Sequence, residues 1–320
     1  MDKTVDNKIK YFSFLKKNNV ALFLALVVLS VIFTIMNPNF IKINNLTNVI
    51  RQMSVLSIAA VGVTLCMLVG GIDLSVGSIM AFVSVVSATY IVRIGIIPGI
   101  IIGLVVGSIF GLLQGSIIAK WSIPAFIVTL GGQTFFRGAT FIYSNGLSVS
   151  GLPKSFYWIG NGNVFGVPVP GLIALFIYLF FHFFLTRTKT GRYVYAIGGN
   201  EDAARLSGIK IFKYKVIVHT ICGLLSAISG IVLTSRVFSG QPTLAESYAL
   251  DCIAACVIGG TSFRGGEGSM VGTILGVLTI SIIRNGLNLI RVSSFVQMMV
   301  IGAIIVIAVI IDSTGKKKAA

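Results

Sequence analysis

Four polar stretches interrupt an otherwise apolar chain, and each carries residue types that could do chemistry. In GGIDLSVGS, Gly70, Gly71, Asp73 and Ser75 sit at the boundary of an apolar run. A carboxylate there either caps a helix or belongs to a solute pathway. Asp73 is placed to N-cap a span starting at Leu74, and the pathway reading stands beside it. In SGQPTLAESYALDCIAACVIGGTS, Gln241, Glu246 and Asp251 flank the entry to a short apolar segment, with Ser247 four residues before Asp251. Such groups could line an aqueous cavity or cap helices. In GGTSFRGGEGS, Gly259, Gly260, Arg264 and Glu267 invite a phosphate-loop reading. That motif requires G-x-x-x-x-G-K-[ST], and the lysine is missing, so Arg264 and Glu267 are expected to pair across a turn instead.

The fourth stretch, GGNEDAARLSG, reads as a soluble helix. Gly198 and Gly199 break the preceding segment. Asn200 is a good N-cap, and Glu201 and Asp202 fall in the first turn, where the helix dipole favours negative charge. Ala203 and Ala204 are strong helix formers, and Arg205 lies four residues after Glu201, an ion-pair spacing. Leu206 and Ser207 complete the helix, and Gly208 suits the position just past its end. About two turns, roughly 10 Å, result. So short a helix must pack on something. It rests on the membrane surface or enters a groove of another protein.

Hydrolytic and metal chemistry find little support in the pattern. Cys66, Cys222, Cys252 and Cys256 all lie inside apolar runs, and His182 and His219 are isolated. The cysteines read as small packing residues, with Cys252 and Cys256 on one helix face. No Ser-His-Asp set, metal cluster, cofactor motif or nucleotide loop is expected, so the chain reads as non-enzymatic and as unable to bind ATP itself.

The elements that must position these stretches are membrane spans. With 320 residues, 55% of them hydrophobic and only 11% charged, the chain lacks the polar surface of a soluble domain. An all-α polytopic membrane protein is expected, with ten spans near 20–36, 53–69, 74–92, 96–119, 124–143, 169–186, 215–235, 248–260, 270–284 and 295–311. One permease-sized domain covers 20–312, with tails at 1–19 and 313–320 and a polar loop at 187–214. The first run is read as an uncleaved span. The eighth and ninth spans are short and glycine-interrupted, as where helices abut protein or a water-filled cavity. Asn44–Gln52 reads as a separate interfacial helix. Phe156, Tyr157 and Trp158, in the loop Ser144–Pro168, read as interface anchors or as a docking surface.

The net charge of +16 does not mark a nucleic-acid binder, because the basic residues cluster at segment ends. Placing both termini in the cytoplasm puts most lysines and arginines inside, including Arg187, Lys189, Arg192, Arg205, Lys210, Lys213, Lys215 and Arg264. Asn200–Gly208 is then cytoplasmic and Lys154 external.

Two classes compete. A gradient-driven secondary transporter of a small polar solute would carry midplane carboxylates or an ion site. Here the acidic residues lie near span ends. An ATP-driven permease would instead need a docking element for a separate ATPase, which the polar helix supplies. A channel would show a carbonyl filter or charged rings, and none is visible.

RYVYAIGGNEDAARLSGI, GGIDLSVGS and QPTLAESYALDCIAACVIGGTSFRGGEGSMVGT, followed by NGLNLI, resemble the membrane permeases of monosaccharide ABC importers, and among them the ribose-type permeases. The likeness runs in order from about Phe40 to Asp312. It implies a membrane dimer with three partners: a cytoplasmic ATP-binding subunit with two nucleotide domains, an extracytoplasmic sugar-binding protein, and a second permease copy. It also implies that Asn200–Ser207 is the coupling helix through which the ATPase switches the spans, and that a prokaryotic inner membrane is the location.

Overall fold

From Ser54 to Val69 every residue of the second helix is buried. An apolar run at the lipid boundary would expose one side, so burial all round marks the centre of the protein. The computed structural model describes residues 3–317. Its helices are α1 (Lys3–Met36), α2 (Ile43–Leu68), α3 (Val76–Ile94), α4 (Ile96–Trp121), α5 (Ala125–Ser144), α6 (Tyr157–Asn161), α7 (Val169–Arg187), α8 (Lys189–Gly199), α9 (Glu201–Leu206), α10 (Ile211–Val237), α11 (Tyr248–Ile258), α12 (Met270–Leu289) and α13 (Ser294–Lys317). A two-stranded hairpin, β1 (Asn163–Val164) and β2 (Val167–Pro168), follows α6, with Asn163 opposite Pro168.

The fold is all-helical, and seven helices are long and apolar enough to cross a membrane: the Asn19–Met36 part of α1, and α2, α3, α4, α7, α10 and α12. Each of the ten expected ranges falls on a helix, but three are not among these seven: α5, and α11 and the Ser294–Ile307 part of α13, which are shorter apolar helices. At 1.5 Å per residue the 11 residues of α11 extend about 16 Å, roughly half of a 30 Å hydrocarbon layer.

α2, α3 and α10 form the interior, and α1, α4 and α7 carry its apolar shell. Phe23, Val28, Phe176, Leu179 and Phe183 point outward, as lipid-facing side chains must. Lipid is as apolar as leucine, so burial alone does not hold these helices together; close packing does. α4 shows how. Gly99, Gly103, Gly107, Gly111 and Gly115 recur every fourth residue and are all buried. A Cβ on Gly107 would sit 2.6 Å from Ala227 Cβ and 2.7 Å from Gly223 O. The backbones of α4 and α10 therefore touch from Gly107 to Gly115, while Gly99 and Gly103 pack on α3.

Several local expectations are corrected. Asn44–Gln52 is not a separate helix but the opening turns of α2, which starts at Ile43. Its polar side chains find partners: Asn45 Nδ2 donates to Asn285 Oδ1 at 2.9 Å, and Arg51 Nη2 donates to Asn161 O at 3.1 Å. α3 starts at Val76 rather than Leu74, with Ser75 at its cap position. Gly198 and Gly199 are the last residues of α8, so the preceding segment ends with them. Phe156 is fully buried, so it anchors no interface, whereas Tyr157 and Trp158 are exposed. The helix of α1 begins at Lys3, within the expected tail, and Lys318 lies outside the described residues.

Candidate functional site: the α9 end of the helical bundle

α9 is closed at both ends by its own residues. Asn200 Oδ1 accepts the Ala203 N–H at 2.9 Å. At the other end Ile209 N donates to Ala204 O (3.1 Å) and Gly208 N to Arg205 O (2.9 Å), with Gly208 at φ +80°. This paired Schellman closure requires a left-handed residue, which glycine adopts without a Cβ clash. Arg205 Nη2 meets Glu201 Oε1 at 3.0 Å, and Arg205 also reaches Asp202 at 3.6 Å. Glu201 Oε2 takes a second cation, Lys215 Nζ on α10, at 2.6 Å. The two alanines part company: Ala204 is buried against the body of the protein, while Ala203 faces out with Asp202, Leu206 and Ser207. Leu206 is 90% exposed.

The same closure ends two other helices here. After α2, Gly71 N donates to Cys66 O and Gly70 N to Met67 O, both at 2.9 Å, with Gly70 at φ +80°. After α11, Thr261 N donates to Cys256 O and Gly260 N to Val257 O, with Gly260 at φ +83°. The glycine pairs read in sequence as breaks thus turn the chain sharply at helix ends.

These turns meet one another. Gly266 N donates to Leu68 O at 3.0 Å, and Tyr195 OH of α8 donates to Gly268 O at 2.9 Å. A Cβ on Gly198 would collide with Leu68 O and the Gly266 amide. One on Gly265 would lie 2.7 Å from Gly70 N. α8, the 259–269 turn and the end of α2 are therefore joined backbone to backbone. Within that turn Ser262 N donates to Glu267 O (2.9 Å), and Arg264 N donates to Ser262 Oγ (3.2 Å). A cavity of about 340 Å³ opens beside α9, lined among others by Gly70, Gly71, Glu201, Lys215, His219 and Arg264.

Asp73 lies behind this cavity and is completely buried. Its Oδ1 accepts the Ser75 N–H at 2.8 Å and the Ser75 hydroxyl at 2.7 Å. Ser75 Oγ also lies 3.0 Å from Gln114 Oε1 on α4. Asp73 therefore shapes the turn before α3 rather than capping a helix at Leu74. The structure brings Cys66 and Cys222 to it, a grouping the wide sequence separation concealed. Cys252 and Cys256 share a face as expected, both turned to carbonyls of α2.

The third sequence-derived set lies at the opposite end and does not converge. Gln241 Nε2 donates to Ser239 Oγ (2.8 Å). Glu246 is exposed, within electrostatic reach of Arg137. Asp251 is buried and salt-bridged by Arg284 Nη2 at 2.7 and 2.8 Å, with Ser247 Oγ donating to it at 3.1 Å. Sequence reasoning missed Arg284, which it counted as an end-of-span charge. It also missed Arg137, whose Nη1 donates to Pro242 O (2.7 Å) and Leu244 O (3.0 Å). Lys215 and His219 were missed as well. Their spacing of four on one apolar helix, facing one direction, was the available signal.

A glycine-packed bundle with broken helices and a self-capped polar helix at one end defines a multi-pass membrane transport subunit. Residues 45–309 match the family described as branched-chain amino acid transport system / permease component, and the chain belongs to that family. It is similar to the ribose import permease protein RbsC of Bacillus subtilis (strain 168), 47% identical over 93% of this chain and 92% of that one. RbsC of Escherichia coli (strain K12) is 44% identical, over 91% and 92%. The L-arabinose transport system permease protein AraH of the same organism is 39% identical, over 91% and 90%. No solved structure matches.

Proposed function

We propose that this chain is the translocation subunit of an ATP-driven monosaccharide importer of the ribose type. The observation that carries this is the high identity, over nearly the whole chain, to permeases named for ribose import. In this reading two copies form the pathway, with ten spans each and both termini in the cytoplasm. A separate cytoplasmic ATP-binding subunit with two nucleotide domains hydrolyses ATP. An extracytoplasmic binding protein delivers the sugar near Gln241 and Glu246. The gradient-driven alternative gains no support from family membership.

α9 is the docking helix in this reading. Its capped ends, its ion pair to α10 and its outward face of Asp202, Ala203, Leu206 and Ser207 support that role. A short helix held at both ends moves as one piece, and a push on it reaches α10 through Glu201–Lys215 and α2 through the Gly198–Gly266–Leu68 contacts.

The test separates the two alanines. Arginine is nearly as good a helix former as alanine, so α9 itself should persist. Ala203→Arg overfills a packed contact, a cost of about 1–3 kcal/mol, or roughly 5- to 150-fold in association. Its permease should reach the membrane at normal abundance yet lose ATPase co-purification and ATP-dependent sugar uptake together. Ala204→Arg should instead lower abundance, because Ala204 packs inward. Wild-type co-purification and uptake in Ala203→Arg would refute the docking role.

A further inference from the structure

Asp73 has no cationic side chain to neutralise it: the salt bridges among the described residues join Glu201, Asp202 and Asp251 to their partners, and not Asp73. Its Oδ2 is buried without a hydrogen-bond partner. A buried acceptor left bare is costly, and a buried charge more so.

A second bare acceptor lies close by. His219, 1% exposed, places Nδ1 2.9 Å from Lys215 O. A carbonyl only accepts, so Nδ1 carries the ring proton and Nε2 presents its lone pair. Nε2 is buried and also lacks a partner. The ring lies against Gly71, whose added Cβ would be 3.7 Å from His219 Cε1, two residues before Asp73.

Two thiols complete the group. Cys66 ends α2, and Cys222 lies three residues after His219 on α10. One ligand atom each from Cys66, Asp73 and Cys222 falls within 4.8 Å of the others, and all three residues are buried. Ligand atoms around tetrahedral zinc are about 3.8 Å apart with Zn–S near 2.3 Å, so small side-chain rotations close the set. Sulfur ligands exclude calcium and magnesium chemistry, and a thiolate and carboxylate mixture suits zinc.

We propose that Cys66, Cys222 and Asp73 bind a zinc-type divalent cation, with His219 on the same helix three residues from Cys222. Binding displaces the two thiol protons to solvent through the adjacent cavity, which His219 and Gly71 line. The ion satisfies the bare Asp73 oxygen. It ties the end of α2, the 70–75 turn and α10 together, about two turns from the Lys215 that holds α9. None of this depends on which solute the protein carries.

The full-length permease, purified with a tag free of histidine, is assayed for zinc by mass spectrometry and then exchanged with cobalt(II). We expect about one metal per chain and a near-ultraviolet thiolate-to-cobalt band. Cys66→Ser and Cys222→Ser should each abolish the band, and Asp73→Asn should weaken retention about 10- to 100-fold. If a serine variant fails to stay monodisperse, the wild type alone decides: zinc should protect Cys66 and Cys222 from alkylation more than Cys252 and Cys256. A wild-type protein that binds no added zinc would overturn the proposal. So would an adventitious ion only, recognised by a metal content indifferent to both cysteine variants or by equal alkylation of all four thiols.

Discussion

The two ends of the bundle are closed by different means. At the α9 end close glycine backbones carry most of the contact: Gly198 against Leu68 and Gly266, Gly265 against Gly70, Gly259 against Gly272, with the Tyr195 hydroxyl and the Glu201–Lys215 pair beside them. At the far end long side chains reach across to carbonyls. Arg51 donates to Asn161 O, Asn161 to Ser235 O and Arg236 O, Arg137 to Pro242 O and Leu244 O, and Asn37 to Leu289 O. Glycines approach backbone there too, at Gly160 and Gly240, but side-chain bonds reinforce them. The buried aspartates follow the same division. Asp251 is satisfied by Arg284 and Ser247, while Asp73 keeps an oxygen bare. Backbone contact leaves little room to slide or stretch, whereas a guanidinium on a flexible stem can follow a moving partner. In the proposed function, the α9 end would pass displacement on and the far end would tolerate it.

The largest expected effect comes from breaking the far clasp. Arg284→Ala leaves Asp251 charged and buried, a loss of about 3–5 kcal/mol read as a lowered unfolding midpoint in detergent. The pair Asp251→Leu with Arg284→Met should recover most of it. A single-site loss that the double variant cannot recover would show that the pair is not what holds this end. Next is Gly198→Ala at the α9 end. The added methyl has nowhere to go, and about 1–3 kcal/mol should be lost, with uptake falling more steeply than abundance. Equal loss of both would mean that this junction only stabilises. The smallest effect is at Asp73. In chelator-treated protein Asp73→Asn keeps the Oδ1 acceptor for Ser75 and replaces an oxygen that bonds nothing, so stability should change by about 1 kcal/mol or less. A loss matching that of Arg284→Ala would erase the contrast between the two aspartates.

The spans and the polar helix were legible because their signals are local. An apolar run lengthens into a helix wherever it lies, and Asn200, Glu201, Arg205 and Gly208 act within one short stretch. What the sequence concealed is the pairing of distant residues. Nothing near Asp251 announces Arg284, and nothing near Asp73 announces Cys222. Boundaries slipped for the same reason. The opening turns of α2 look like a surface helix until Asn285 and Asn161 are seen to satisfy them. The α4 glycine stripe carries a local signal too, a four-residue spacing that needs no partner, but sequence reasoning passed over it.

That stripe also governs what mutation can do to this protein. On one side of α4 every fourth residue is glycine, and a side chain at Gly107, Gly111 or Gly115 drives α4 from α10, while one at Gly99 collides with Ile91 of α3. Ile101, Val105, Ile109 and Leu113 look outward and accept any apolar exchange. Genetic drift along α4 is therefore rhythmic, frozen on the inward face and free on the outward one. Heritable change in this helix can retune its fit to the surrounding lipid without touching its grip on the interior.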